Sequence, residues 1–215
     1  MISFSWLGET FLLHHQRCMY WEKEKMLILS DMHVGKSGHF RKEGIAIPQQ
    51  VYQNDLNRLF AMIALFNPQE VMLVGDLFHS RANKEWEWFA DMRNQIPDIQ
   101  FTLVLGNHDV LPRGVAENMH LQLCHRLDKG PFQFLHNAND VLQDDKSISG
   151  FISGHVHPSV MIPSGMRQKM RLPCFHFTGN TCTLPAFSIF TGNYTIKPKA
   201  SDRVFVITAN EVISV

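Results

Sequence analysis

The sequence predicts an α/β fold of two packed sheets with helices outside them, and three observations predict it. Five short apolar runs each end in a polar loop that carries histidine or aspartate. Helical periodicity separates the first three of those runs. Beyond about residue 120 the pattern changes to strands and turns without clear helices.

The first run, residues 26–29, leads into Ser30, Asp31, Met32 and His33. Residues 71–74 lead into Gly75, Asp76, Leu77, Phe78 and His79, and residues 101–105 into Gly106, Asn107, His108 and Asp109. Residues 132–135 end at His136, and residues 148–152 run towards Gly154, His155, Val156 and His157. Continuous apolar runs of this length read as strands buried on both faces. Between the early strands, residues 49–66 place Tyr52, Leu56, Leu59, Phe60 and Ile63 on one helical face. Asn83 can cap a second helix that runs to about residue 96, with Trp86, Phe89 and Ala90 on one side. Alternating strands and helices make a largely parallel sheet with helical crossovers. Residues 120–126, 169–177, 187–191 and 203–208 read as further strands. In open α/β sheets ligands collect beyond the carboxyl ends of strands. The five histidine-bearing loops all sit at such ends, so one fold can bring them together.

At 215 residues the chain suits a single domain spanning 1–215. An apolar fraction of 45% with 19% charged residues is ordinary for a soluble globular protein. Formal net charge is zero, so no global field draws nucleic acid or anionic membranes. Affinity for a polyanion has to come from a local patch or from bound metal. The four cysteines form no C-x-x-C pair, and reduced thiols in a cytosol are the expectation. The first sixteen residues carry no basic leader, and their apolar run is broken by Gly8, Glu9 and His14. Neither a signal peptide nor a membrane span is expected, and the reading is cytoplasmic. The composition has one oddity, twelve histidines, several of them beside glycine or aspartate after apolar runs.

Histidine is the commonest metal ligand. Asp31 and His33, two residues apart, share a face if the backbone is extended and can reach one ion. Gly75 allows a sharp turn that presents Asp76, whose two carboxylate oxygens can bridge two cations. Asn107 offers a neutral carbonyl oxygen, and His136, His155 and His157 offer imidazole nitrogens. Mixed nitrogen and oxygen ligation without thiolate suits manganese, iron or zinc rather than a cysteine-type structural zinc. His120 and His125 compete with His136, which is preferred because it ends an apolar strand as the other candidates do.

The ordered set D-x-H (Asp31, His33), G-D (Gly75, Asp76), G-N-H-D (Gly106 to Asp109), a lone His136 and G-H-x-H (Gly154 to His157) resembles the calcineurin-like metallophosphoesterase superfamily. The resemblance implies a four-layer α-β-β-α sandwich of two packed mixed sheets flanked by helices. It implies two divalent ions, manganese first among them with iron or zinc as alternatives. One ion would take Asp31, His33, Asp76 and His157. The other would take Asp76 as the shared bridge, with Asn107, His136 and His155. It gives His108 to the leaving group or the phosphate, with Asp109 orienting its ring. Two cations roughly 3.5–4 Å apart clamp a phosphate during in-line attack. Departure of the leaving oxygen needs a proton or an electrostatic partner, and imidazole titrates in the right range.

A narrower resemblance rests on Asp31-Met32-His33-Val34-Gly35-Lys36, then Phe40-Arg41, Gly44-Ile45 and Pro48, with Gly75 to Ser80 and Leu184-Pro185-Ala186-Phe187. These are similar to the bacterial ligase-associated DNA-damage-response endonucleases. Ser188 and Asn193 depart from that pattern, standing where glycines are expected. The resemblance implies a DNA phosphodiesterase working beside a ligase, an exonuclease and a helicase, with no membrane partner.

Lys36 and Arg41 follow the first ligand loop and suit phosphate contacts. They equally suit a charged loop facing water. His79 and His39, near ligand loops, suit substrate contact and solvated loops alike. His14, His15 and His176 read as strand surface residues. Arg167, Lys169 and Arg171 alternate along a strand, which reads first as a solvated face and second as a nucleic-acid stripe. Trp86 reads as core. Two other functions share the motifs: a phosphodiesterase or phosphatase acting on a small nucleotide, and a non-enzymatic scaffold. A scaffold of this fold is expected to have lost ligands, and here every position is filled.

Overall fold

The computed structural model describes residues 1–35, 50–79, 84–112, 114–140, 147–163 and 168–215. Strands β1 (Ile2–Trp6), β2 (Glu9–His14), β3 (Cys18–Trp21) and β4 (Met26–Leu29) form an antiparallel meander. From β4 the same sheet continues in parallel through β5 (Glu70–Val74), β6 (Gln100–Val104) and β7 (Leu121–Cys124). Helices α1 (Gln50–Phe66) and α2 (Lys84–Gln95) are the crossovers, and a short α3 (Val115–Asn118) precedes β7.

The second sheet opens with β8 (Arg126–Lys129) antiparallel to β9 (Phe132–Leu135), which runs parallel to β10 (Gly150–Ser153). Its centre is a long β12 (Lys169–Thr178) paired with β11 (Pro158–Pro163), β13 (Thr181–Thr183) and β15 (Arg203–Ile207). β13 lies parallel to β10, β14 (Tyr194–Thr195) extends β11, and β16 (Val212–Ser214) extends β15. Both sheets are mixed and pack face to face.

Side-chain alternation sorts the core into layers. Along β4, Leu27 and Leu29 join the cluster shared with Leu56, Leu59 and Ile63 of α1 and Trp86, Phe89 and Met92 of α2. Met26 and Ile28 turn the other way, into a cluster with Phe132, Phe134, Ile152, Phe175 and Phe177 of the second sheet. Phe132 lies 4.9 Å from the Trp6 ring, 5.2 Å from Trp21 and 5.4 Å from Phe11. Each such pair adds ~0.5–1.5 kcal/mol beyond area burial. The two helices therefore cover the outer face of the first sheet.

Several expectations change. Residues 120–126 are two strands in different sheets, β7 and β8, with His125 at the crossing. Residues 187–191 form no strand: Ala186 makes an isolated parallel bridge to Ser30, and the chain then turns, with Phe190 N–H and the Thr191 hydroxyl bonding back to Ser188. Helix α2 begins where expected, although the proposed cap Asn83 lies outside the described residues. Trp86 is core, as expected. His176 pairs with Asp202 at 2.9 Å.

His14 is buried at 7% exposure, not a surface residue. Its Nδ1 accepts the Gln16 N–H at 3.2 Å, which requires an unprotonated nitrogen there. Burial, then the charges of His15 and the amino terminus, lower its pKa to about 4. The unfolded chain thus takes up this proton first, so stability is whole above about pH 6.5 and falls as pH drops towards about 4. His14→Asn keeps an acceptor and cannot titrate. In urea unfolding of metal-free protein, the variant is expected to lose less stability than the parent between pH 7 and pH 4, by on the order of 2 kcal/mol.

Candidate metal centre

Three loops at one end of the first sheet are laced together through their backbones. Asp31 donates its N–H to Gly75 O at 3.1 Å, His33 to Asp76 O at 2.9 Å and Val34 to Leu77 O at 2.7 Å. On the other flank, Phe187 and Ser188 donate to Ser30 O and Asp31 O at 2.8 and 3.3 Å. Asp109 joins the remaining loop: its two oxygens accept the Phe78 and Gly106 N–H groups, each at 2.9 Å. Burial pushes its carboxyl up to about 6 against the pull of those two bonds. Asp109 therefore ties loop to loop and makes no bond to the His108 ring, contrary to the orienting role expected for it. Adjacent side chains diverge in this tight turn.

The lacing holds an unusual backbone. Asp31 (φ 53°), His33 (48°), Asp76 (47°), His155 (67°) and His157 (51°) all sit in the left-handed region. Non-glycine residues rarely do so, and the cost of order 1–3 kcal/mol each is met where a site demands it. Here that conformation turns each functional side chain into one space.

Two ligand groups result. Asp31, His33 and His157 bring their ligand atoms within 4.8 Å of one another, and so do Asp76, His136 and His155. In the first, Asp31 Oδ1 is buried and accepts no hydrogen bond. His157 Nε2 faces it at 3.0 Å, out of hydrogen-bond alignment, and His33 Nε2 stands 4.0 Å away. The Gly192 carbonyl lies 2.9 Å from His157 Nδ1 and so orients its ring. In the second, His136 Nε2 lies 3.1 Å from His155 Nδ1, 3.2 Å from Asn107 Oδ1 and 3.5 Å from Asp76 Oδ2. Lone-pair atoms crowded in this way need a proton or a cation between them, and oxygen with imidazole nitrogen is the donor chemistry of a divalent metal. The residues fit such an ion.

Glycine makes the crowding possible. Gly75 has φ 76°, and a Cβ there would overlap the His136 ring. A Cβ on Gly106 would overlap the Asp76 carboxylate. Burial works against the charge on Asp76, but the bond and charge of His136, the His108 N–H and the charge of His33 bring its pKa down to about 2. For His136, burial acts downward and is outweighed by Asp76 and Asp31, which raise its pKa. Without metal the second group thus favours a proton on His136, and an arriving cation displaces it.

His108 stands apart from both groups with 44% of its side chain exposed, its Nε2 3.9 Å from Asp76 Oδ2. Its ring is 5.8 Å from that of His33 and 4.8 Å from that of His79. The structure thus gathers Asp31, His33, Asp76, Asn107, His136, His155 and His157, with His79, His108 and Asp109 around them. His120 and His125 are exposed and join neither group. Lys36, Arg41 and His39 lie outside the described residues. Sequence reasoning named Ala186 to Ser188 only within the narrower resemblance and not as the backing of this centre, and it missed Asp55 and the arginines Arg17 and Arg58 that reach the segment. Arg17 Nη1 donates to Ser188 O at 2.9 Å, and Arg58 Nη1 to Phe187 O at 3.1 Å.

The model of a family described as calcineurin-like phosphoesterase matches residues 24–143. Among solved structures, the chain is similar to nuclease MPE from Pseudomonas putida, with a TM-score of 0.82 and 24% identity over 99% of both chains. It is also similar to YfcE, a phosphoesterase from E. coli, at a TM-score of 0.47 and 14% identity, covering 88% of this chain and 97% of that one. No curated protein matches the chain significantly in sequence. No helix among the described residues is long and apolar enough to cross a membrane.

Proposed function

The chain belongs to the calcineurin-like phosphoesterase family and is a metal-dependent hydrolase, and we propose that it cuts phosphodiester bonds of DNA in repair. The observation that carries this reading is that the paired ligand groups meet, among the described residues, at a solvent-facing surface. Asp31 and Asp76 are buried, whereas Asn107, His108 and His155 face solvent. A polymer strand can cross such a surface without having to be enclosed. A solved structure with the same fold is itself described as a nuclease, which supports the reading.

Two divalent cations, manganese by preference, supply the charge that clamps the phosphate when bound. Asp31, His33 and His157 would hold one and Asn107, His136 and His155 the other, with Asp76 shared. The exposed His108 is proposed to give a proton or a hydrogen bond to the departing oxygen. His79, packed beside His108 and His33, lines the phosphate side. Lys36 and Arg41 are proposed to hold neighbouring phosphates. A DNA ligase, an exonuclease and a helicase are proposed as working partners, and the cytoplasm as the site of action.

A neutral chain makes few phosphate contacts, so autonomous DNA binding should be weak. For two or three contacts on a single strand, affinity should fall about tenfold between about 50 and about 200 mM salt. Flat affinity over that range would refute local cationic contacts. The functional test is turnover by manganese-loaded protein of labelled DNA, a cyclic nucleotide, a phosphomonoester and an artificial diester. Cleavage of DNA is expected. Turnover of the small nucleotide alone would instead establish a nucleotide phosphodiesterase, and inertness towards all four a scaffold.

A further inference from the structure

Next to the metal centre, between the two sheets, lies a cavity of about 300 Å³. Cys18 pairs with His14 and Met19 with Ile28, so the turn at residues 15–17 lies at the same end of the first sheet as the Asp31 loop. On the second sheet, His176 is level with Thr183 and Thr183 with Ser153, the residue before Gly154. Pro173 and Ile207 therefore lie beyond the ends of β10 and β13, on the metal-bearing side. The cavity has His15, Arg17 and Arg58 on one wall and Pro173, Ile189 and Ala209 on the other.

The basic wall has charge to spare. Arg58 uses all three guanidinium nitrogens, on Gln16, Asp55 and Phe187. Arg17 uses only Nη1, on the carbonyls of Ala186 and Ser188, which leaves its Nε and Nη2 donors to the cavity it lines. Among the groups that bear on Arg17, Asp55 is the one anion set against the second guanidinium of Arg58. Burial and the neighbouring Arg58 accordingly bring Arg17 down to about 10. His15 Nδ1, on the same wall, is buried without a hydrogen-bond partner. Past the cavity, Arg171 and Lys169 continue the face of β12 that carries Pro173, and both are exposed. Their partners Met161 and Pro163 on β11 lie beyond the level of Ser153 as well, so this hairpin adds cationic charge on the wall facing Arg17 and Arg58.

We propose that this cavity is a second phosphate site, which takes a backbone phosphate of the strand whose scissile phosphate lies at the metal centre, held by the remaining donors of Arg17 and by His15. The proposal rests on the reading of the substrate as DNA. A planar guanidinium with unused donors suits phosphate oxygens. The cavity adjoins the reacting centre through a direct chain, Arg17 to Ser188 O and Ser188 N–H to Asp31 O.

The test is a carboxylate placed on the wall. Ala209 is exposed, belongs to neither ligand group and makes no bond to Arg17, so Ala209→Glu repels an anion without touching the bonds of Arg17. Metal-loaded parent and variant are compared for binding of an uncleavable phosphorothioate strand and for turnover of an artificial small diester. Strand affinity is expected to fall at least about tenfold, with turnover of the small diester within about twofold. Arg17→Lys, which keeps the charge and loses the fork, should fall between the two. Equal strand affinity in Ala209→Glu and parent would overturn the site. In a parallel arm, inorganic phosphate should shift the NMR signal of the Arg17 Nε–H in the parent and not in Ala209→Glu. If phosphate shifts that signal and the strand does not, the cavity serves a free anion and the proposal falls. A parent that hydrolyses the diester but cleaves no DNA refutes the substrate reading itself, whereas cleavage of DNA with equal affinities refutes only the cavity.

Discussion

Asp76→Asn is expected to leave the protein folded and nearly devoid of metal. The amide keeps the shape of the side chain and can still accept the His108 N–H, which Asp76 Oδ1 receives at 3.0 Å. What it removes is the buried negative charge of the second ligand group, the charge proposed to serve both ions. A single neutral oxygen cannot compensate two cations, so both affinities should drop. Metal analysis after gel filtration should fall from about two ions per chain to fewer than one, and turnover by on the order of 10³ or more. A variant that keeps both ions and most of its activity would remove Asp76 from the centre.

His108→Ala should do the reverse: metal retained, turnover lost. The ring joins neither ligand group, and its Nε2 is 3.9 Å from Asp76 Oδ2, too far for a hydrogen bond. Its exposure leaves it able to meet a leaving oxygen. A positioned proton donor contributes on the order of 10²–10⁴ in rate, and the benefit grows as the leaving group worsens. The loss should therefore be large for DNA or an alkyl ester and small for a nitrophenyl ester, with metal content unchanged. Undiminished activity on a substrate with a poor leaving group would contradict the assignment.

Much of this centre was legible because each candidate ligand follows a strand in an ordered motif. Leu27, Ile28, Val71, Val74, Leu103 and Phe134 are all buried, as continuous apolar runs require, and the loops after them carry the ligands. His136 could be preferred over His120 and His125 by the same rule, and it is the one of the three that meets the other ligands. The N-terminal meander escaped notice because Ile2, Phe4 and Trp6 alternate with serines instead of forming a run. The split at His125 escaped notice because apolar residues recur on both sides of it without a turn residue. Asp109 misled because sequence adjacency to His108 suggests contact, while the chain turns its carboxylate onto the Phe78 and Gly106 amides. Arg17 and Arg58 gave no signal at all. Their partners in the backing segment are backbone carbonyls 129 to 171 residues away, and no motif encodes a carbonyl.

The left-handed conformations at Asp31, His33, Asp76, His155 and His157 were equally invisible, since those residue types do not demand them. They give the centre its shape. A strained and crowded cage of this kind gains stability from its ions, so chelation should lower Tm while saturating metal raises it.

Anomalous diffraction from a manganese-soaked crystal tests the central claim most directly. Two peaks are expected, one among Asp31, His33 and His157 and one among Asn107, His136 and His155, with the Asp76 carboxylate touching both. A lone peak, or a pair that leaves Asp76 without contact, would contradict the account.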